Sequence, residues 1–398
     1  MAPAAANPQT ALETTGPGRP AVPDVLHEHI EEIAYLSVQR RKMLFSPEIP
    51  LRRLRNHAGR IEAHLDGLRV GVPASLDIAE AKLEGDDPWF VSAALKIWVE
   101  LGQPQTAILH ERLAKLAPEL TGSCKEAFRQ LPASTIERTF PEKTGATPDS
   151  LLELATDARG WHGMIRPETG SQLAASPDPK IRRALARHVT QPDLVSRLLT
   201  DSDQQVRRMA LWSVAKQDSR TALDRSRQLA AGAEPDVFAL RLIGLFGDDA
   251  DNAHLLPFLR HKPLAGSALL ALRDLAYPAL AESVLDVIDS DDSENIPLAK
   301  AVFESLAGRI PKPNPEKPLP TGMSPARYHW QETRKRLDTS RRNLHDKPYP
   351  WQGSPADEPM LWVWRRSLTN AADLGWLRRE VPDGFFTGRA ADEAIPGE

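Results

Sequence analysis

Four histidines are the residues whose spacing first suggests metal chemistry. His27 and His29 flank Glu28 in the predicted first helix, and His57 and His64 lie seven residues apart in the predicted second helix. Side chains two positions apart point about 200° away from each other around a helix, so His27 and His29 diverge. A separation of seven residues keeps one helix face but spans two turns, about 10 Å. We therefore expect structural or interface roles for these histidines.

The remaining signals for catalysis or metal binding are weak. The acidic run at 289–294 resembles a calcium loop over five residues, but Glu294 and Lys300 stand where an EF-hand needs glycine and glutamate. The single cysteine, Cys124, excludes a disulfide framework, and we expect it to be a core residue. The sequence holds no nucleophile elbow, phosphate-binding glycine loop or dinucleotide fingerprint. We expect no enzymatic activity, no cofactor and no metal.

The C-terminal segment, residues 322–390, combines tryptophan with arginine. These two residue types dominate the energetics of protein interfaces, and an arginine over a tryptophan ring can form a cation–π contact. We expect its tryptophans first of all to dock the segment on the end of the preceding helices. Recognition of a protein partner is the alternative, and the two roles are compatible. The candidate partner-binding residues are Trp330, Arg341, Trp362, Trp364, Arg365, Trp376 and Arg378.

An internal repeat indicates how the middle of the chain is built. The segment DPKIRR that begins at Asp178 is matched 25 positions later by DQQVRR, which begins at Asp203. Self-similarity at roughly this period is typical of stacked helical hairpins, whose extended surface is a binding site by default. Each aspartate can cap the second helix of a hairpin. The first arginine of each segment, Arg182 or Arg207, can bind the corresponding aspartate of a neighbouring unit. We assign these four residues a structural role.

Composition and hydrophobic spacing predict an all-helical protein. Helix formers dominate, and β-branched and aromatic residues are sparse. Two longer helices, from about Asp24 and from Leu51 to Leu68, should pack as an antiparallel hairpin. Further helix starts are expected near Asp87, Asp178, Asp203, Asp236, Pro263 and Glu294, and further helical pieces at about 104–116, 122–131 and 148–158. The predicted fold class is an all-α, HEAT-like α-solenoid of short hairpins with an N-terminal helical hairpin and a C-terminal Trp/Arg-rich helical segment.

Changes in composition mark the expected domain boundaries. Residues 1–23 are rich in Ala, Pro, Thr and Gly and should be disordered. The proline-rich stretch 311–321 should form an extended linker. Between and beyond these stretches we expect an N-terminal helical domain at 24–160, the repeat array at 161–310, the C-terminal helical segment at 322–390 and an acidic tail at 391–398.

Charge and hydropathy indicate where the protein acts. The net charge of −4 creates no basic field that would attract nucleic acid or acidic lipid. The N-terminus has neither the basic region nor the apolar core of a secretory signal. No window approaches roughly 18 consecutive apolar residues, so no membrane span is predicted. We expect a cytoplasmic protein.

Several segments resemble an uncharacterised proteobacterial family of HEAT-repeat proteins. The most specific is EAHLDGLRV, which runs from Glu62 to Val70. Weaker likenesses are the first helix at 29–36, a repeat core at 242–259, the segment 264–268 and a closing motif at 384–387. Together they cover about residues 25 to 390. The tryptophan and arginine spacing around Trp330 and Arg341 departs from the family pattern.

The resemblance implies a function that the residues alone do not. Members of that family have no established activity and tend to be encoded beside type VI secretion genes. This implies a non-enzymatic adaptor whose partner is a protein, such as a secretion-system spike or effector protein. A nucleic-acid-binding protein is the alternative, although the overall acidity disfavours it. Its candidate surface is Arg182, Arg183, Arg187, Arg207 and Arg208, with Trp212 nearby. A third possibility, handling of a chromophore or cofactor as in other short HEAT-repeat proteins, lacks a suitable Cys/His pair.

Overall fold

The chain is all-helical wherever the structure describes it. The computed structural model describes residues 22–45, 49, 51–142, 147–232, 235–275, 277–290, 294–311 and 319–339. None of these residues lies in a β-strand, so the predicted all-α class is confirmed. The predicted disordered N-terminus up to residue 21, most of the predicted linker and everything after residue 339 lie outside the described residues.

The first eight helices include six that the sequence predicts. They are α1 (Pro23–Phe45), α2 (Leu51–Val70), α3 (Ala74–Lys82), α4 (Pro88–Gly102), α5 (Thr106–Lys115), α6 (Thr121–Arg129), α7 (Ala133–Thr139) and α8 (Leu152–Trp161). Short 3₁₀ turns at Pro118–Leu120 and Asp149–Leu151 precede α6 and α8. The starts of α1, α2 and α4 are confirmed, and α5, α6 and α8 overlap the helical pieces expected at about 104–116, 122–131 and 148–158. α3 and α7 were not predicted, because neither is long enough to carry a clear apolar stripe.

The following helices come in pairs, except for the last one. They are α9 (Pro167–Ala174), α10 (Pro179–Ala186), α11 (Pro192–Leu198), α12 (Gln204–Gln217), α13 (Ser219–Ala230), α14 (Val237–Phe246), α15 (Asn252–Leu255), α16 (Lys262–Leu275), α17 (Ala281–Ile288), α18 (Ile296–Ala307) and α19 (Pro325–Thr339). Further 3₁₀ turns lie at Asp249–Asp251, Leu256–Arg260 and Pro278–Leu280. The predicted helix starts in this region are confirmed to within two residues.

Aspartates set the start of the second helix in several pairs. Asp178 accepts a hydrogen bond from the Lys180 amide at 2.8 Å, and Asp203 accepts one from the Val206 amide at 2.9 Å. Asp87 caps α4 and Asp236 caps α14 in the same way. Such a cap satisfies an amide that has no partner within the helix and contributes about 1 kcal/mol. The repeated aspartate is therefore a helix-start signal.

The paired helices stack into two layers. The second helices, α4, α6, α8, α10, α12, α14, α16 and α18, form one continuous layer, in which each helix packs on the next. We call it layer B. The first helices of the pairs lie on the other side, where α5 packs on α7 and α9 on α11. Because α8 packs directly on α10, layer B runs without interruption past residue 160.

The α1–α2 hairpin crosses layer B. Contacts of Gln39 with His57 and of His29 with His64 pair α1 with α2 in antiparallel order. α1 packs against α4, and the Arg40 guanidinium near the end of α1 is 3.8 Å from the Glu126 carboxylate in α6. The hairpin therefore does not simply continue the stack.

The tip of the hairpin reaches helices more than 150 positions further along the chain. Leu54 in α2 is buried in one apolar cluster with Trp212 of α12 and with Phe238 and Leu242 of α14. Met43 of α1 packs against the same cluster. This part of layer B is covered by the chain itself, whereas the repeat pattern alone suggested an open surface.

Hydropathy of the helices bears on membrane insertion. None of the described helices is both long and apolar enough to cross a bilayer.

Candidate partner-binding surfaces

Ion pairs join successive helices and turns along the stack. In each pair an arginine of one unit binds an aspartate that follows it by 19 to 33 positions, with N–O distances between 2.6 and 3.1 Å. We call them junction pairs. They are Arg129–Asp157, Arg182–Asp201, Arg208–Asp236, Arg227–Asp251 and Arg241–Asp274.

The arginine–aspartate contacts predicted from the repeat are present, but they join other residues than expected. Arg182 binds Asp201 through two nitrogens, at 2.8 and 2.9 Å, and not the cap residue Asp203. Asp201 also accepts the Asp203 amide at 2.9 Å, so it orders the turn that leads into α12. Arg207 donates to the carbonyls of Asp201 and Ser202 in its own turn. The expected arginine-to-cap-aspartate bond was therefore wrong for Arg182 and Arg207.

The arginine that binds the neighbouring unit changes where the length of the repeat changes. The second arginine of the next unit, Arg208, binds the cap aspartate Asp236 at 3.0 and 3.1 Å. The cap aspartates Asp178 and Asp203 are 25 positions apart, but Asp203 and Asp236 are 33 apart. The longer spacing places a different arginine opposite the next aspartate, while the junction itself is kept.

Asp157 is the most unusual charged group of layer B. It is fully buried in α8 and accepts two hydrogen bonds from Arg129, at 2.9 and 3.0 Å. Arg187 donates to the same carboxylate at 3.1 Å, and His188 Nε2 donates to it at 3.3 Å. The Trp161 ring lies against Arg129, 5.0 Å from the guanidinium carbon. One carboxylate thus links α6, α8 and the end of α10.

The protonation states of this cluster follow from burial and charge. Burial alone would raise the pKa of Asp157, but Arg129, the His188 hydrogen bond and Arg187 together hold that pKa well below its usual value. Burial lowers the pKa of His188 to about 4, although Asp157 opposes the shift. At neutral pH an ionised Asp157 therefore accepts from two guanidinium groups and a neutral imidazole. A carboxylate engaged in this way locks helices together and is a poor proton acceptor.

The pair Arg241–Asp274 joins α14 to α16 and was missed by the sequence analysis. Both side chains are buried, and the Arg241 Nη2 to Asp274 Oδ2 distance is 2.6 Å. A signal was present, because Arg241 is the only charged residue in the apolar helix VFALRLIGLF. A charge in such a helix must be paired when the helix is buried on all sides.

Four of the five arginines considered for nucleic-acid binding have partners within the stack, and Arg183 is half-buried. Arg182, Arg187 and Arg208 take part in the ion pairs described above. Arg207 binds carbonyl groups of its own turn. Trp212 is 1% exposed and packs edge-on against Phe238. The structure does not bring these side chains together as an open basic surface.

The two histidines of α1 and α2 meet between the helices. The Nδ1 atoms of His29 and His64 are 2.9 Å apart, and the rings are half-buried. Gly67 permits this approach, since a Cβ atom there would lie 2.5 Å from Nε2 of His29. His64 and Gly67 both belong to the EAHLDGLRV segment, so this contact gives that segment a packing role. Over the described residues, no three His, Cys, Asp or Glu side chains form a metal-binding group.

The outer face of α2 is rich in arginine. Arg52, Arg53, Arg55 and Arg60 are all exposed. The opposite face, which includes Leu54, is buried on α1. The spacing of its apolar residues predicts this helix, whereas its basic side was not predicted.

Only one of the predicted partner-binding residues lies in the described part of the chain. Trp330 of α19 is 4% exposed and belongs to the apolar cluster that holds α16, α17 and α18. Its position corresponds to the docking role, because the ring fixes α19 to the last helix pair. The other six predicted residues, Arg341, Trp362, Trp364, Arg365, Trp376 and Arg378, lie outside the described residues.

Comparisons with known proteins add little. No family model matches the chain, and no curated protein matches it. Among solved structures, the crystal structure of an engineered protein aligns with 71% of this chain and 93% of its own, at 15% sequence identity and a TM-score of 0.30. A score of this size carries no argument about fold or function.

Proposed function

We propose that the protein is a non-enzymatic, cytoplasmic scaffold that binds a protein partner and serves type VI secretion, in the loading of a spike or effector protein. The observation that carries the scaffold role is the continuous stack from α4 to α18, locked by junction pairs. Stacked hairpins of this kind offer an extended, rigid surface for another macromolecule. The link to secretion rests on the resemblance of residues 62–70 and their companion segments to HEAT-repeat proteins encoded beside secretion genes.

The charge arrangement supports a scaffold. Arg129, Arg187 and His188 converge on one buried carboxylate, Asp157, and leave it poorly suited to accept a proton. Other buried charges, such as Arg241 and Asp274, also pair with each other across helices. Such pairs hold helices in register at a substantial desolvation cost. A protein that uses its buried charges for register gains a defined shape, which is what a docking platform requires.

Recovery of the partner tests this proposal. The full chain, carrying an affinity tag, is expressed in its native cell, and bound proteins are cross-linked, purified and identified by mass spectrometry. We expect a spike, adaptor or effector protein to be enriched over a tag-only control, with cross-links to the helical stack. Enrichment of no secretion protein would contradict the role in secretion, and recovery of no protein partner would contradict the scaffold itself.

A further inference from the structure

The hairpin formed by α1 and α2 carries a charge opposite to that of the whole chain. Between residues 38 and 60 the sequence has seven cations and one carboxylate, Glu48, whereas the chain as a whole has a net charge of −4. The cations are Arg40, Arg41, Lys42, Arg52, Arg53, Arg55 and Arg60. A local excess of this size attracts anionic groups even on an acidic protein.

These cations divide into inward and outward groups. Arg40 faces Glu126 in α6 at 3.8 Å, and Arg41 lies over the Trp89 ring of α4 at 5.8 Å. Four arginines of α2 point away from the stack, because residues 52, 53, 55 and 60 are all exposed while Leu54 and His57 between them are buried. Arg53 and Arg60 lie along one edge of this exposed side, and Arg52 and Arg55, three positions apart, lie together on the rest of it. The four arginines extend over about two turns of helix, roughly 12 Å.

The outward arginines differ from those of the stack in their partners. Arg60 has Glu32 at 3.6 Å, and both side chains are about half exposed, so this pair contributes little. Arg53 and Arg55 form no ion pair within the part of the chain that the structure describes. By contrast, the junction pairs are short and shielded from solvent. Arg53 and Arg55 are therefore not required to hold the stack.

We propose that this arginine face of α2 is a docking surface for an acidic helical segment of a protein partner; the inference rests on the proposed scaffold function. A guanidinium binds a carboxylate through two parallel hydrogen bonds, which gives orientation as well as attraction. Carboxylates spaced three or four residues apart on a partner helix lie along one face, which matches the spacing of Arg52 and Arg55. A protein segment fits better than nucleic acid, because the patch is short and the chain outside it is acidic.

Binding of a defined peptide to the full chain tests the proposal. The probe is a fluorescent helical peptide of about 20 residues with glutamates along one face, and its counterpart has glutamine at those positions. The test variant is Arg53→Glu/Arg55→Glu. The matched control is Arg197→Glu/Arg225→Glu, which makes the same charge change in α11 and α13. Circular dichroism confirms that both variants are folded.

The expected result is specific to the position of the charge. The glutamate peptide should bind the wild-type chain and the control alike, bind the α2 variant at least about tenfold more weakly, and lose affinity with salt. Equal losses in both variants, or equal binding of the glutamine peptide, would overturn the proposal. Tighter binding of a single-stranded oligonucleotide of matched charge, lost in the α2 variant, would overturn it in favour of a nucleic-acid surface. If the peptide fails while the tagged chain still recovers a partner, the scaffold function stands and only this surface is wrong.

Discussion

At the scale of single residues, the stack depends on a few buried polar groups whose pKa values are shifted. Asp157 collects hydrogen bonds from Arg129, Arg187 and His188, and the last of these is held neutral by burial. Removing one partner would leave the others buried without compensation, which costs far more than the bond itself contributes. Such residues make stability sensitive to pH at specific positions.

His188 should make the protein less stable in mild acid. Its pKa in the folded chain is about 4, below the value of about 6.5 expected when unfolded. As the pH falls, the unfolded chain takes up the proton first, so this contribution is complete above about pH 6.5 and is lost as the pH falls toward 4. Urea unfolding across this range should show a fall in unfolding free energy of roughly 2 to 3 kcal/mol from this residue.

Replacing His188 separates its effect from those of other histidines. The variant His188→Gln keeps a donor for Asp157 and should show a shallower dependence of unfolding free energy on pH. The exposed His261, changed to glutamine, is the control and should keep the wild-type slope. A residual slope is expected in all variants, because burial also lowers the pKa of His57 and His64. Identical slopes in the His188 variant and the wild type would show that this histidine does not couple folding to pH.

Cys124 should be unreactive in the folded chain. It is 3% exposed in α6, and burial raises the pKa of its thiol to about 12. The thiolate is the nucleophile, so both its access and its population are suppressed. We expect no labelling by a thiol reagent in native buffer and complete labelling in denaturant. Rapid labelling of the native protein would mean that α6 opens far more readily than its packing indicates.

At the scale of helices and turns, close packing is set by small residues where two elements approach. A Cβ atom on Gly244 of α14 would lie 2.5 Å from the backbone oxygen of Ala271 in α16. The neighbour at Gly67 is the His29 ring, which can move, whereas around Gly59 nothing lies within 4 Å. A side chain would therefore meet backbone at Gly244, a movable ring at Gly67 and open space at Gly59.

Alanine at these glycines should produce graded effects. Gly244→Ala should destabilise by about 2 to 3 kcal/mol, because backbone must shift, and Gly67→Ala by roughly 1 to 2 kcal/mol. Gly59→Ala, in the same helix as Gly67, is the control and should stabilise by about 0.5 to 1 kcal/mol through helix propensity. Urea unfolding measures all three. His29→Ala should relieve the cost at Gly67, and additivity in that double variant would contradict the proposed contact.

At the scale of the whole molecule, the hairpin of α1 and α2 connects parts that are distant in sequence. Leu54 is 2% exposed and shares an apolar cluster with Trp212 and Phe238. Arg40 adds a polar contact to α6. The N-terminal hairpin thus restrains the middle of the stack, which a linear array of nearest-neighbour contacts would not do.

Shortening Leu54 should loosen helices far along the chain. Leu54→Ala removes buried apolar volume and should cost about 2 to 4 kcal/mol. Hydrogen exchange, followed by mass spectrometry, should speed up in peptides covering α12 and α14 as well as in α2. Arg55→Ala, on the exposed face one residue away, should leave those peptides protected. Unchanged protection of α12 and α14 in the Leu54 variant would show that the hairpin tip does not support them.

The helical class and most of the helix starts could be predicted from the order of the residues, because both depend on local signals. An aspartate such as Asp203 caps its helix through atoms two or three residues away, and the apolar stripe of α2 is visible in its spacing. Which charges pair and what covers layer B could be seen only in the folded arrangement of the helices. Arg182 binds Asp201 and not Asp203, and Leu54 packs in one apolar cluster with Trp212. Both arrangements depend on the length of the turns and on the path of the whole chain. Contacts between residues so far apart in the sequence produce no periodic pattern, so they cannot be predicted before the positions of the helices are known.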